Sequence, residues 1–189
     1  RVVKEVGSGS EIVKSFDEAV FRLGPKEVYY RDYDPETGTF TNASRQCTLV
    51  TSGTRILFSG WYAVEGAVDF SGNACLGIFG DAHLILCDGA SLTITNRLHR
   101  QAAVTVTGID GLTIYGQLEG AGRLTVSGGA NNAGIGGYSG TSGTRYDRED
   151  PQDCGKVTIN GGTVTATGGM YGAGIGGSCD ADGGKVTIN

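Results

Sequence analysis

The sequence predicts an all-β chain folded as a parallel β-helix, a β-solenoid whose short strands stack rung upon rung. Three observations carry that prediction. The phrase AGIGG occurs at Ala133–Gly137 and again at Ala173–Gly177, and GKVTIN occurs at Gly155–Asn160 and again at Gly184–Asn189. Val157 and Val186 lie 29 residues apart, and a period of this size marks a repeat architecture. The repeated segments alternate apolar and polar residues, which makes strands with one face in and one face out. Glycine fills 34 of 189 positions, far above the ordinary ~7%, and it clusters in Gly-Gly, Asp-Gly and Asn-Gly pairs suited to sharp corners. With three prolines and no G-X-Y register, collagen is excluded.

The chain opens with a stretch that does not repeat. Ser8–Leu23 reads as one short helix. Ser8 and Glu11 resemble a capping box, and Ile12, Val13, Phe16, Ala19, Val20 and Leu23 fall at helical spacing. Gly24-Pro25 stops it. Two extended runs follow, Glu27–Tyr33 and Thr39–Thr48, joined by Asp34-Pro35-Glu36-Thr37-Gly38 with good turn chemistry. An open solenoid end exposes strand edges and core side chains, so terminal repeats tend to act as lids. Residues 1–55 are therefore expected to form a small N-terminal α/β cap, a short helix plus a β-hairpin. Residues 56–189 are expected to hold the repeats, truncated at the C-terminus.

The strands of the repeat align in three columns. The first holds Leu84-Ile85-Leu86, Leu112-Thr113-Ile114, Val157-Thr158-Ile159 and Val186-Thr187-Ile188. Ile56-Leu57-Phe58, 28 residues before Leu84, is a candidate for its first member. The second column holds Ser91–Thr95, Arg123–Ser127 and Thr163–Thr167. The third holds Ala103–Thr107 and the two AGIGG segments. Three strands per coil and about 28–29 residues per coil follow, with one insertion at Tyr138–Cys154. Aligned strands pair with their counterparts one period away, which satisfies the backbone groups that a lone strand leaves bare. A leucine-rich repeat is the rival at this period, and Leu84–Asn96 mimics part of its pattern. The later coils offer no helix-forming stretch and too much glycine for it.

The wording of these segments carries a resemblance. Gly60-Trp61-Tyr62-Ala63-Val64, the run Asp81–Ala90 (DAHLILCDGA), Leu112–Gln117 (LTIYGQ), AGIGG and GGTVTATGG resemble a family of large secreted or surface-attached proteins of gut-dwelling bacteria. That family carries GWYVV…HLILCDG…LTIYGQ…AGIGG…TINGGTVTATGG arrays. The resemblance covers about residues 60–189. It implies a right-handed β-helix of the pectin-lyase-like type and a secreted or cell-surface setting. It implies no particular reaction. Ala63 departs from the usual valine, and the Tyr138–Cys154 insertion is longer and more acidic than the family pattern.

Composition narrows the function classes. The net charge is −5, so nucleic acid, which wants a basic stripe, is not an expected partner. No apolar run approaches the ~20 residues that span a bilayer, so no membrane insertion is expected in this segment. The chain opens on RVVKEVGSGS without a signal-peptide pattern and stops within a repeat at Thr187-Ile188-Asn189. Both ends read as cuts in a longer protein. The five cysteines form no CxxC pair and no zinc spacing. They read as idle or buried thiols, with a Cys154–Cys179 bridge as the sharper alternative.

Candidate chemistry is sparse. The insertion places Asp147, Glu149, Asp150 and Asp153 close together, and Asp180 and Asp182 follow one coil later. Such carboxylates can hold Ca2+. Arg145 and Arg148 sit among them, however, and a solvated charged loop competes with a cation site. No cofactor is required by the sequence. His83 and His99 have no obvious partner, and His83 reads as a packed or surface residue. Asp88 and Asp110 read first as turn residues. Outward Thr93, Thr125 and Thr165 should stack in a ladder. Ordered threonine arrays can bind ice, but threonine is also simply a good exposed strand residue.

The AGIGG column offers a binding hypothesis. With Ala133, Ile135, Ala173 and Ile175 inward, Gly134, Gly136, Gly174 and Gly176 would leave a bare outer strip that a sugar ring can approach. Tyr138 and Tyr171 would flank it. Tight packing between coils is the competing reason for those glycines. The sequence thus predicts a rigid extracellular spacer or adhesin-like scaffold that binds polysaccharide or host surface glycans along one face. The alternative is a polysaccharide lyase or glycosidase on the same scaffold, which would need converging carboxylates.

Overall fold

The computed structural model describes residues 24–70, 74–96, 101–139 and 152–189. These residues form fourteen strands in mostly parallel sheets, and no helix occurs among them. The helix expected over Ser8–Leu23 lies outside the described residues.

The chain begins with an antiparallel hairpin. β1 (Lys26–Asp34) pairs with β2 (Thr39–Leu49) from Lys26↔Cys47 to Asp34↔Thr39. Asp34 closes the turn by accepting the Glu36 N–H and the Thr37 hydroxyl, both at 2.9 Å. The Glu36 N–H is the larger cause that holds its carboxyl below the ordinary carboxylate range. β2 then joins the first repeat strand in parallel through Thr48↔Tyr62 and Leu49↔Ala63.

From β3 (Ile56–Val64) onward the strands form three parallel ladders. The third column runs from the first half of β3 to the first residues of β5 (Leu76–Leu86), then β7 (Val104–Thr105), β10 (Ile135–Gly136) and β13 (Ile175–Gly176). The first column uses the second halves of β3 and β5, then β8 (Gly111–Gly116), β11 (Lys156–Ile159) and β14 (Lys185–Ile188). The second column is β4 (Ala67–Phe70), β6 (Ser91–Thr95), β9 (Arg123–Ser127) and β12 (Thr163–Thr167). Val157 pairs with both Leu112 and Val186, and Thr93, Thr125 and Thr165 stand in register.

Two expected alignments are corrected. Ile56-Leu57-Phe58 does not open the first column. It pairs with Gly77-Ile78-Phe79 in the third, and Tyr62-Ala63-Val64 fill the place beside Leu84-Ile85-Leu86. A register shift between Phe58 and Gly60 is the reason. The bulge bends one long strand around a corner so that it serves two columns. Leu84 pairs with Ile114, not Leu112. That shift is two residues, an even number, so every side chain keeps its face. The coil interval is not uniform: Val68 to Leu92 is 24 residues, Leu92 to Leu124 is 32, and Leu124 to Val164 is 40.

The interior is a narrow apolar stack. Leu57, Ile78, Leu84, Leu86, Leu92, Ile94, Leu112, Ile114, Leu124, Val126, Val157 and Ile159 are buried. The last rung differs. Val186 and Ile188 are exposed, because no described strand stacks beyond β14. The outer face of the first column is apolar as well. Ala63, Ile85 and Tyr115 are buried there, and Val28, Tyr30 and Cys47 of the hairpin are buried with them in one cluster. The hairpin therefore covers the flank of the first coils.

Candidate functional site

The glycine strip expected on the AGIGG column is not an open surface. Gly134, Gly136 and Gly176 are buried and Gly174 is half-buried. A Cβ on Gly134 would sit 2.7 Å from the Gly174 carbonyl oxygen, and one on Gly174 would sit 2.6 Å from that of Ala166. On Gly136 it would clash with the Gly176 carbonyl oxygen and lie 2.7 Å from Cys154 Sγ. Backbone-to-backbone packing between rungs, not ligand access, selects glycine here. Tyr138 is half-buried. Tyr171 is exposed with φ +68, and Asn131, whose N–H donates to Met170 O at 2.7 Å, has φ +67. Neither has an open glycine strip to flank.

The acidic loop is only partly visible. Asp147, Glu149 and Asp150 lie outside the described residues, as does His99. Asp153 and Asp182 come together, but Asp153 Oδ1 accepts the Asp182 backbone N–H at 2.8 Å. Asp180 has φ +62 in the neighbouring turn. Among the described residues no group of three or more His, Cys, Asp or Glu side chains is placed to hold a metal. None of the five cysteines is disulfide-bonded. Both cysteines lie in loops from the third column to the first, but the Cys154 N–H donates to Asp182 O whereas the Cys179 N–H reaches Asn131 O, so the partners of the alternative bridge sit at different positions along that corner.

The side chains that do converge lie between the hairpin and the first column. Trp61 and His83 occupy paired positions on adjacent rungs, and their rings stack at 4.3 Å and 10°. Tyr115 lies 5.3 Å from Trp61, and its hydroxyl is 3.0 Å from His83 Nδ1. Tyr30 packs against Trp61 at 5.0 Å and Tyr115 at 4.9 Å, and the Arg45 guanidinium covers Trp61 at 5.1 Å. Burial pushes the Tyr115 phenol far up and the Cys47 thiol to about 11, so neither is a ready acid or nucleophile at neutral pH. His83 is the titrating member. Its Nε2 is 3.6 Å from Asp81 Oδ2. Burial lowers its basicity below the ordinary value and outweighs the opposing pull of Asp81.

The sign of the resulting pH dependence is fixed. A depressed folded-state value means that the His83 contribution to stability is complete above pH 6.5 and is lost as the pH falls through the folded value. Trp61 is the only tryptophan, and an imidazolium stacked on indole quenches it. Its fluorescence should fall in one titration step with a midpoint below 6.5, and His83→Gln should abolish the step. A midpoint at or above 6.5 would contradict this environment.

Beside this stack lies a solvent-open groove of about 210 Å³, lined by Arg31 and Phe40 from the hairpin, Gln117 and Glu119 after β8, and Asn160 and Asn189. The local construction is specific. Gln117 clips hairpin to coil: its Nε2 donates to Tyr29 O at 3.0 Å and its Oε1 accepts the Asp88 N–H at 2.8 Å. The Asp88 carboxylate accepts the N–H groups of Glu119 and Ala121, each at 3.0 Å, which fixes the groove wall. Asp88 is thus more than a turn residue; it ties one corner to the next. Asn160 and Asn189 stack through Asn189 Nδ2 donating to Asn160 Oδ1 at 2.7 Å. The Arg31 guanidinium lies over Phe40 at 5.0 Å. The groove thus offers a guanidinium, amide groups, one carboxylate and an aromatic ring, a set suited to a polyhydroxylated ligand.

Sequence reasoning missed this groove. The Asn closing each KVTIN was a visible signal. The nearness of Arg31 to Asn160 along one groove is not, because it depends on where the hairpin docks. Among known families, a model described as a β-helix repeat matches residues 157–179. No curated protein and no solved structure matches the chain.

Proposed function

We propose that this chain is a secreted or surface-attached bacterial module, a right-handed β-helix with three strands per coil and residues 1–55 as its N-terminal cap. It acts as a rigid spacer or adhesin-like scaffold and binds polysaccharide or host surface glycan without cleaving it. One observation carries the binding part: the groove between hairpin and coil corners presents Arg31 on Phe40 beside the Asn160–Asn189 stack. A glycan segment lying along the solenoid would stack on Phe40 and exchange hydrogen bonds with Arg31 and the amides. The parallel ladders and the β-helix repeat match support the scaffold. The glycosidase reading gains nothing here, since Glu119 is the single carboxylate among the lining residues and glycoside hydrolysis needs two.

The test is a glycan array plus polygalacturonate binding, with Arg31→Ala and Phe40→Ala beside the wild type. Each substitution should weaken binding at least tenfold, and no new reducing or unsaturated ends should appear. Binding indifferent to both changes, or product release, would overturn the reading.

A further inference from the structure

A second site, sharing no residue with the groove, lies in the first halves of β3 and β5. Phe58 and Phe79 are register partners on adjacent rungs, and their side chains point outward at 61% and 54% exposure. Their ring centroids are 6.1 Å apart with the planes inclined at 38°. Ile56, two residues before Phe58, extends the apolar surface. Exposed aromatic pairs of this kind are costly in a solvated face and mark a contact site.

The pair is built into the backbone. A Cβ on Gly77 would lie 3.3 Å from Phe79 Cε2, so the ring rests against a backbone position that carries no side chain. Beyond the rings the chain bulges at Gly60 and Gly80, whose φ is +82 and where a Cβ would clash with Ser59 Oγ. Ser59 Oγ accepts the Asp81 N–H at 3.0 Å, and Asp110 Oδ1 accepts the Gly80 N–H at 2.8 Å. The Phe79 strand therefore leads straight into a polar rim.

The charge of that rim selects the occupant. Asp81 keeps 70% of its side-chain surface open, and Asp110 stands one rung further on. The described cations nearby are engaged or distant. Arg55 donates to Ser52 O and Thr54 O and lies over Phe70, Lys156 is two rungs from Asp81 in register, and His83, with Nε2 3.6 Å from Asp81 Oδ2, is stacked on Trp61. A carboxylate rim repels polyanions and accepts hydroxyl groups. The ring faces, negative at their centres, attract the C–H hydrogens of a sugar.

We propose that Phe58 and Phe79 form a stacking platform for a neutral pyranose chain, with Asp81 accepting its hydroxyl groups at the rim. The platform would be a second point of attachment beside the groove, which raises avidity for a neutral glycan long enough to reach both.

The experiment is calorimetry of the whole chain with mannohexaose, xylohexaose and chitohexaose, with polygalacturonate and decalysine as counter-probes. At least one neutral hexamer should bind. Phe58→Ala and Phe79→Ala should each weaken it at least tenfold, Phe79→Tyr should retain it, and Thr125→Ala, exposed on the second column, should leave it unchanged. Both alanine variants should keep the wild-type unfolding midpoint, because the rings are exposed. The proposal is overturned if no neutral hexamer binds, if binding ignores both phenylalanines, or if the variants lose decalysine binding alone. Failure of the groove reading would appear separately, as indifference of glycan-array binding to Arg31→Ala and Phe40→Ala.

Discussion

Gly136→Ala is expected to destabilise the chain by about 3 kcal/mol or more. Two costs combine. The residue has φ +129, a region that alanine rarely enters. Its new Cβ would strike the Gly176 carbonyl oxygen, and backbone cannot rotate aside as a side-chain tip can. The Gly137 N–H donates to that same carbonyl at 2.9 Å, so pushing the rungs apart breaks a ladder bond. Gly183→Ala is the internal control. Nothing lies within 4 Å of its Cβ position, and its φ lies outside the strained region, so the midpoint of urea unfolding should barely move. Equal effects from the two substitutions would contradict backbone packing as the reason for glycine in AGIGG.

Tyr30→Ala is expected to cost about 3–5 kcal/mol, the usual range for emptying a fully buried aromatic site. Tyr30 is wholly buried although it belongs to the hairpin, and it holds Trp61 and Tyr115 at once. Its loss should loosen β1 from the flank of the first column. Trp61 would then gain exposure, seen as a red shift of its emission, and the groove would lose its Arg31–Phe40 wall. Tyr30→Phe keeps the ring and gives up only the 3.3 Å contact to Asp32, so it should stay near wild type. A solenoid unharmed by Tyr30→Ala, with unchanged emission, would mean that the hairpin is an appendage and not part of the packed body.

How much of this was legible follows from the range over which each signal acts. The KVTIN and TVT columns were readable because alternation is local and repeats itself. Val157, Leu112 and Val186 stand in the ladder that the alternation implies. The register of the first coils at Ile56 is not readable from the pattern, because a bulge at Phe58/Gly60 lets one strand turn a corner, and a bulge leaves no periodic trace. The glycines of AGIGG were readable as necessary but not as to why. Open approach for a ligand and close approach for a neighbouring rung demand the same residue, and the second operates here. His83 looked partnerless because its partners Trp61 and Tyr115 are distant in sequence and arrive only through the register. The groove was invisible for a similar reason: Arg31 and Asn160 meet only after the hairpin docks.

The most direct measurement is a set of long-range backbone NOEs around Val157 in the isotopically labelled chain. Stacked parallel rungs require Val157 to show contacts to Leu112 on one side and Val186 on the other, with Thr158 likewise between Thr113 and Thr187. Contacts from Val157 to neither residue, or to positions displaced by one, would place the apolar faces outside and contradict the rung order from which the groove and the platform both descend.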